Sequence, residues 1–297
     1  MSGKIGEWSM KASVMIRKVR RNAIDLDKYT ACINQANNYR IYAEFWYLDV
    51  LTNQQWDCFV LNDYEAVMPL PYQKKFGVKI IYQPIYCQQL GVFHQRDLDQ
   101  YTFNLFVKKL NFKIVRSYHF NEENTAQFNL KGSKSINQIL NLSDGNTIEF
   151  DKKTKKNCKS FRNKKVEIDT TKSIEELLSF KKSNSTHISN YTQLQKLLHV
   201  LDKHHALAIH FAKKEDLLGY SCYIKSKNRL IYINSASSNL GKKHCVSTGL
   251  LEHMILENLN KELILDFEGS GIESISKFFS GFGSTKTYYT KYKNLWI

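Results

Sequence analysis

Two acids near the carboxy-terminal end carry the clearest chemical pattern in this chain. In Leu263-Ile264-Leu265-Asp266-Phe267-Glu268 the acids alternate with Leu263, Leu265 and Phe267, so an extended backbone projects Asp266 and Glu268 from one face and apolar side chains from the other. Two carboxylates sharing a partly buried face repel, which raises one of them toward neutral pH, where a carboxylate serves as a general base. A structural role competes with this one: both acids bind the backbone of the following loop, where Ser270 and Glu273 form the S-x-x-E capping box that opens a helix. Two amides, Gln88 and Gln89, interrupt an apolar, aromatic run from Ile80 to Phe93. Buried amides need partners, so this pair either orients a substrate's carbonyl or amine or holds a loop between two parts of the chain.

Charge is the main compositional anomaly. The net charge of +15 predicts attraction to polyanions: RNA, anionic lipid headgroups, phosphate-bearing substrates or acyl-carrier proteins. Eight of the fourteen residues from Lys152 to Lys165 are basic and none is acidic, which fits a phosphate-binding surface or a solvated helix face. The run lacks the interleaved aromatics of a base-stacking surface. Lys277, followed by Phe278 and Phe279 in a helix, snorkels to solvent or reaches a phosphate. Metal binding is not expected, because His199, His204 and His205 have no carboxylate or cysteine at ligand spacing and His244 and His253 lie nine apart. The six cysteines are scattered without CxxC pairs, which predicts reduced thiols and a cytoplasmic protein. A nucleophilic role for Cys158 or Cys245 would need a histidine brought near by folding.

At 297 residues the chain is long enough for two domains, and with 42% hydrophobic residues each can bury a core. We expect a disordered or tag-like stretch over 1–14 and domains over 15–150 and 151–297. No apolar run of spanning length is present, and the start Met1-Ser2-Gly3-Lys4 leads into no apolar signal region, so neither a transmembrane segment nor a secretory signal is expected. Contact with a membrane surface stays open as a peripheral one.

The positioning elements follow from periodicity. Helical stretches at Ile24–Ala36 and Tyr42–Leu51 precede strand-like runs at Trp56–Leu61, Glu65–Leu70 and Lys79–Gln83, then a helix at Asp97–Leu110 and a strand at Phe112–Phe120. The second half repeats the order. Helical spacing of Ile174, Leu177, Leu178, and then Tyr191, Leu194, Leu198, Leu201, leads to strands at Leu207–Phe211, Leu217–Ile224 and Leu230–Ser237. A helix at Val246–Asn258, a strand at Glu262–Phe267 and a last helix burying Ile272, Ile275, Phe279 and Phe282 complete it. Two helices, three antiparallel strands, a helix and a strand is the element order of the GNAT acyltransferase fold. The expected architecture is therefore α/β: two tandem GNAT-like domains, each a mixed, mainly antiparallel sheet flanked by helices.

Particular stretches carry a closer likeness. Met68-Pro69-Leu70-Pro71-Tyr72, Gln83-Pro84 and Gln88-Gln89-Leu90-Gly91-Val92-Phe93, together with Asp266-Phe267-Glu268-Gly269-Ser270 and Lys277-Phe278-Phe279-Ser280-Gly281-Phe282-Gly283, resemble FemAB-like proteins of the GNAT superfamily of the Bacteroidetes type. The resemblance implies an N-acyltransferase that moves an acyl group from a thioester, acyl-CoA or acyl-carrier protein, to an amine; acyl-CoA would be a co-substrate and no cofactor would be tightly bound. It also implies that Lys155, Lys156, Asn157 and Arg162 lie on a basic helix facing the cleft. In a GNAT fold the turn after the fourth strand offers backbone N–H groups to the donor's pyrophosphate. That turn is Ser238-Asn239-Leu240-Gly241-Lys242-Lys243 here. Gly241 matches the first glycine of the usual Gln/Arg-x-x-Gly-x-Gly/Ala pattern, whereas Ser238 and Lys243 depart from it. Two alternatives stand beside this one: an aminoacyl-tRNA-dependent aminoacyltransferase, and a non-catalytic binding or scaffold protein with a degenerate GNAT fold.

Overall fold

The computed structural model describes residues 14–295 apart from 172, 185–189 and 270. Edge strand β1 (Ile16–Arg20) leads to α1 (Leu26–Gln35), whose start is capped by Asp25 accepting the Lys28 N–H at 3.1 Å. Helix α1 buries Tyr29, Cys32 and Ile33, and α2 (Phe45–Thr52) follows. Strands β2 (Trp56–Leu61), β3 (Ala66–Lys75) and β4 (Val78–Ile81) form an antiparallel meander, with the two-residue β5 (Phe93–His94) on β3. Helix α3 (Gln100–Asn111) crosses over to β6 (Ile114–Phe120), parallel to β4 as a helical crossover requires. Helix α4 (Glu122–Gln127) and β7 (Ser133–Asn141) end this half.

The second half runs α5 (Lys152–Asn163), β8 (Glu167–Asp169), α6 (Ile174–Asn184), α7 (Tyr191–Lys203), then the meander β9 (Leu207–Lys213), β10 (Leu217–Lys225) and β11 (Arg229–Ser237). The short α8 (Asn239–Lys243) and α9 (Val246–Glu257) cross to β12 (Ile264–Asp266), parallel to β11; α10 (Glu273–Ser280) and β13 (Thr285–Asn294) finish the chain. The repeated element order is thus present as two GNAT-like halves, and among the described residues no helix is long and apolar enough to cross a membrane.

The halves share one sheet, ordered β1-β2-β3-β4-β6-β13-β7-β12-β11-β10-β9-β8. Each half gives its last strand to the other: β7 pairs antiparallel with β12, β13 pairs antiparallel with β6, and the two exchanged strands pair with each other. Both β7 and β13 are absent from the sequence expectations. Strand β7 reads Ser-Lys-Ser-Ile-Asn-Gln-Ile-Leu-Asn, too polar for a strand signal because Asn137 and Gln138 are fully buried in bonds between the halves.

Two expectations about the last helix are corrected. Ile272 is its cap and is 60% exposed, and Ile275 is 39% exposed; the helix is one turn shorter than its apolar spacing suggests, and only Phe279 and Phe282 of the expected four are buried. Ser270, the expected capping residue, lies outside the described residues.

Close packing fixes α5 against α9 within the second half. Phe161 lies over Gly249 of α9, where an added Cβ would sit 2.2 Å from the ring. Asp151 caps α5 by accepting the Thr154 N–H at 2.6 Å. The basic helix is therefore held by its apolar side, Thr154, Cys158 and Phe161, with most of its lysines in solvent.

Candidate active site

Strands β11 and β12 stay paired for only three residues, Arg229 to Ile231 against Ile264 to Asp266, and then diverge. A wedge of about 580 Å³ opens between them, walled by Tyr232, Asn234 and Ser235 on one side and by Phe267, Glu268 and Gly269 on the other, with Phe278 and Phe279 of α10 over it. Beyond Ile231, β11 pairs among the described residues only with β10, so one edge of its backbone N–H and C=O groups is left to the wedge.

The first half has the same divergence, after Ile80 and Ile81 pair with Ile114 and Val115. There the chain fills its own wedge. Gln83 accepts the His119 N–H at 3.0 Å, the Leu90 N–H donates to the His119 carbonyl at 2.8 Å, and the Asn121 N–H donates to the Leu90 carbonyl at 2.8 Å. What remains is a smaller cavity of about 360 Å³, lined by Gln83, Tyr86, Gln88, Ser117, His119 and Tyr289. Glu268 and Gly269 line both cavities, so the carboxylate stands where the two meet.

Local backbone places it there. Strand β12 ends at Asp266, and Glu268 and Gly269 are both left-handed, with φ of 56° and 58°. A side chain on Gly269 would strike the Ile136 carbonyl at 2.5 Å, so β7 forces glycine at this turn. Glu268 is a non-glycine residue held in a sparsely populated region, as occurs at functional sites. Its carboxylate accepts the Tyr42 hydroxyl, and burial pushes it up to about 7, with the Asp266 charge adding to the rise and the Tyr42 bond opposing it. Burial also drives Tyr42 well above the usual phenol range, so its proton stays in place.

Asp266 is committed elsewhere. It is 1% exposed and accepts Arg229 at 2.7 Å, Asn137 at 3.0 Å and the Glu268 N–H at 2.9 Å. Arg229 also reaches Glu122 at 2.9 Å, and Glu122 accepts Arg40 at 3.0 Å and Asn137 at 2.7 Å. Burial works against the Glu122 charge, but Arg229 and Arg40 beside it hold the carboxyl below its ordinary value. This network ties both halves together beneath Glu268. In the smaller cavity burial lowers His119 to about 4; its Nδ1–H donates to the Gln88 carbonyl at 2.8 Å and Nε2 accepts the Ser117 hydroxyl at 3.0 Å, so the ring is neutral.

No protein-family model and no curated protein matches the sequence. Solved structures do. The crystal structure of FemX superposes with a TM-score of 0.65 at 9% identity, covering 93% of this chain and 97% of FemX. L-PGS from Bacillus licheniformis gives 0.52 at 12% identity over 91% and 92% of the two chains. A tandem GNAT protein from the clavulanic acid biosynthesis pathway gives 0.50 at 8% identity over 95% and 98%. The chain has the FemAB-like, tandem GNAT fold.

Within this GNAT fold the residues singled out by sequence fall in four places. Glu268 sits at the junction of the cavities, and Asp266 lies behind it in the ion network, brought near by a turn rather than by a shared strand face. Gln88 donates to the Glu268 carbonyl and lines the smaller cavity, while Gln89 accepts the Glu122 N–H at 3.0 Å and donates to Gln88 at 2.8 Å. The turn after β11 is adjacent to the wedge but does not line it. Ser238 caps α8 by accepting the Gly241 N–H at 3.0 Å; Asn239, Lys242 and Lys243 are exposed, and Gly241 packs against the Leu218 carbonyl. Asn157 and Lys277 meet with Lys153 around a third cavity of about 510 Å³ between α5 and α10, and Phe278 separates it from the wedge. Lys155 and Lys156 are exposed on α5, Lys155 lies 3.5 Å from Glu149, Arg162 pairs with Glu252, and Lys277 pairs with Glu273 at 2.6 Å.

Sequence reasoning missed Tyr42, Arg229, Glu122, Arg40, Asn137 and His119. Arg229 carried a signal: a charge at the head of an apolar strand run asks for a buried partner. The others are marked by no spacing, since their partners lie far away in sequence.

Proposed function

We propose that the protein is an N-acyltransferase in which a thioester donor, acyl-CoA or acyl-carrier protein, occupies the wedge between β11 and β12, and an amine reaches it from the smaller cavity. The observation that carries this reading is the Glu268 carboxylate at the junction of the two cavities, tuned to about 7. A group half ionised near neutral pH suits a general base. The amine nitrogen attacks the thioester carbonyl carbon, Glu268 takes the ammonium proton, the C–S bond breaks as thiolate leaves, and the thiolate takes up that proton, giving amide and thiol with Glu268 ionised again. The free edge of β11 offers backbone N–H groups to amide-bearing parts of a donor and to the developing oxyanion. Lys153 and Lys277, with Asn157, flank the adjoining cavity and suit the donor's phosphates.

A second reading, an aminoacyl-tRNA donor, is supported by one feature: the exposed lysines of α5 extend the positive surface past the cavity into solvent. Release of thiol from acyl-CoA and acyl-carrier protein with an amine panel tests the first reading, and binding of charged tRNA with a steep salt dependence tests the second. Turnover with thioesters supports the proposal. Silence with all three donors, in turnover and in thermal shift, would favour a scaffold role.

A further inference from the structure

Away from the wedge, β9 and α9 bring together three side chains that nothing above uses. His210 on β9 is 4% exposed. Its Nε2 faces Oε2 of Glu257 at 3.6 Å, beyond hydrogen-bond reach, and its buried Nδ1 has no hydrogen-bond partner among the described residues. His253, one helical turn before Glu257 on α9, places its own Nε2 3.3 Å from Oε1 of the same carboxylate. The ligating atoms of the three residues all lie within 4.8 Å of one another. Two imidazoles thus address the two oxygens of one carboxylate at distances too long for charge-assisted hydrogen bonds.

Those distances suit a shared ion. Bonds of about 2.0–2.1 Å in a tetrahedral zinc site leave neighbouring ligand atoms about 3.3 Å apart. We propose that His210, His253 and Glu257 bind a divalent cation of the zinc class, with the fourth position open to solvent. Imidazole nitrogens with one carboxylate select zinc over magnesium or calcium, which take oxygen ligands. His253 and Glu257 are 32% and 44% exposed at the side chain, which gives the ion an entry path and leaves room for His253 to swing onto it. Bound there, the ion would pin the end of α9 to β9. The start of the same helix supplies Ser247 to the wedge, so the ion would stiffen one wall of the proposed donor site.

The test uses the full chain without a histidine tag, stripped with a chelator and titrated with zinc alone by calorimetry. The expected result is one equivalent bound with a micromolar or tighter Kd, a rise in Tm of several degrees at a hundredfold excess over Kd, and no uptake of magnesium. His253→Gln and Glu257→Gln should each weaken zinc at least tenfold. Both change partly exposed groups, and their far-UV spectra in the stripped state control for folding. Zinc bound equally by wild type and both variants would place the ion elsewhere and overturn the proposal, as would no uptake at micromolar zinc.

Discussion

Arg229→Met is the perturbation whose cost follows most directly from the geometry. Arg229 is 6% exposed and holds Asp266 at 2.7 Å and Glu122 at 2.9 Å. With the guanidinium removed, Glu122 keeps Arg40, whereas among the described residues Asp266 keeps only the neutral donors Asn137 and the Glu268 N–H. One buried carboxylate is left uncompensated, which costs about 3–5 kcal/mol, on the order of 10 °C in Tm for a chain of this size. The pH dependence has a definite sign. Glu122 has a folded-state value below the unfolded 4.5, so its contribution is present above about 4.5 and is lost as pH falls through the depressed value. The gap between wild type and variant should therefore be full at pH 7 and smaller near about pH 3.5, below the unfolded value. Thermal and urea unfolding at both pH values is the assay. A loss under about 1 kcal/mol at pH 7, or a gap that widens in acid, would refute the reasoning.

Three further outcomes are expected. kcat/KM should rise with pH through about 7 as Glu268 loses its proton, and a profile flat from pH 5.5 to 8.5 would separate Glu268 from the rate. Gly249→Ala should destabilise by about 1–3 kcal/mol, because its methyl meets the Phe161 ring, and unchanged unfolding would mean α5 does not pack as described. Lys153→Ala combined with Lys277→Ala should raise the KM for an anionic donor several-fold with little change in kcat; an unaltered KM would remove that cavity from donor binding.

The sequence and the fold agree where periodicity is local. Two rounds of helices, meander and crossover are legible because each buries its own apolar face, as Tyr29, Cys32 and Ile33 do on α1. The exchanged strands are not legible. Asn137 and Gln138 occupy core positions where a strand pattern would place apolar groups, and their partners are Asp266, Glu122, Ser280 and Ser284 from other elements. The same distance effect hides Tyr42, 226 residues from the carboxylate it bonds. Glu268 could be picked out by its place beside Phe267 and Asp266, but not for the reason given by strand alternation: a left-handed turn after β12 aims it, and Asp266 is the group beneath it. The cluster on α9 and β9 escapes the sequence reading, which sets His253 against His244 rather than Glu257, and His210 lies 43 positions before His253 on another element.

Glu268→Gln tests the central claim most directly, measured as thiol release at pH 8 alongside Tm. Removing the base should lower the rate by about 10²–10⁴. Burial of the ionised carboxylate opposes folding above its raised value, so the amide should leave Tm unchanged or higher at that pH. A rate within threefold of wild type, or a fall in Tm that accounts for the lost activity, would contradict a catalytic Glu268.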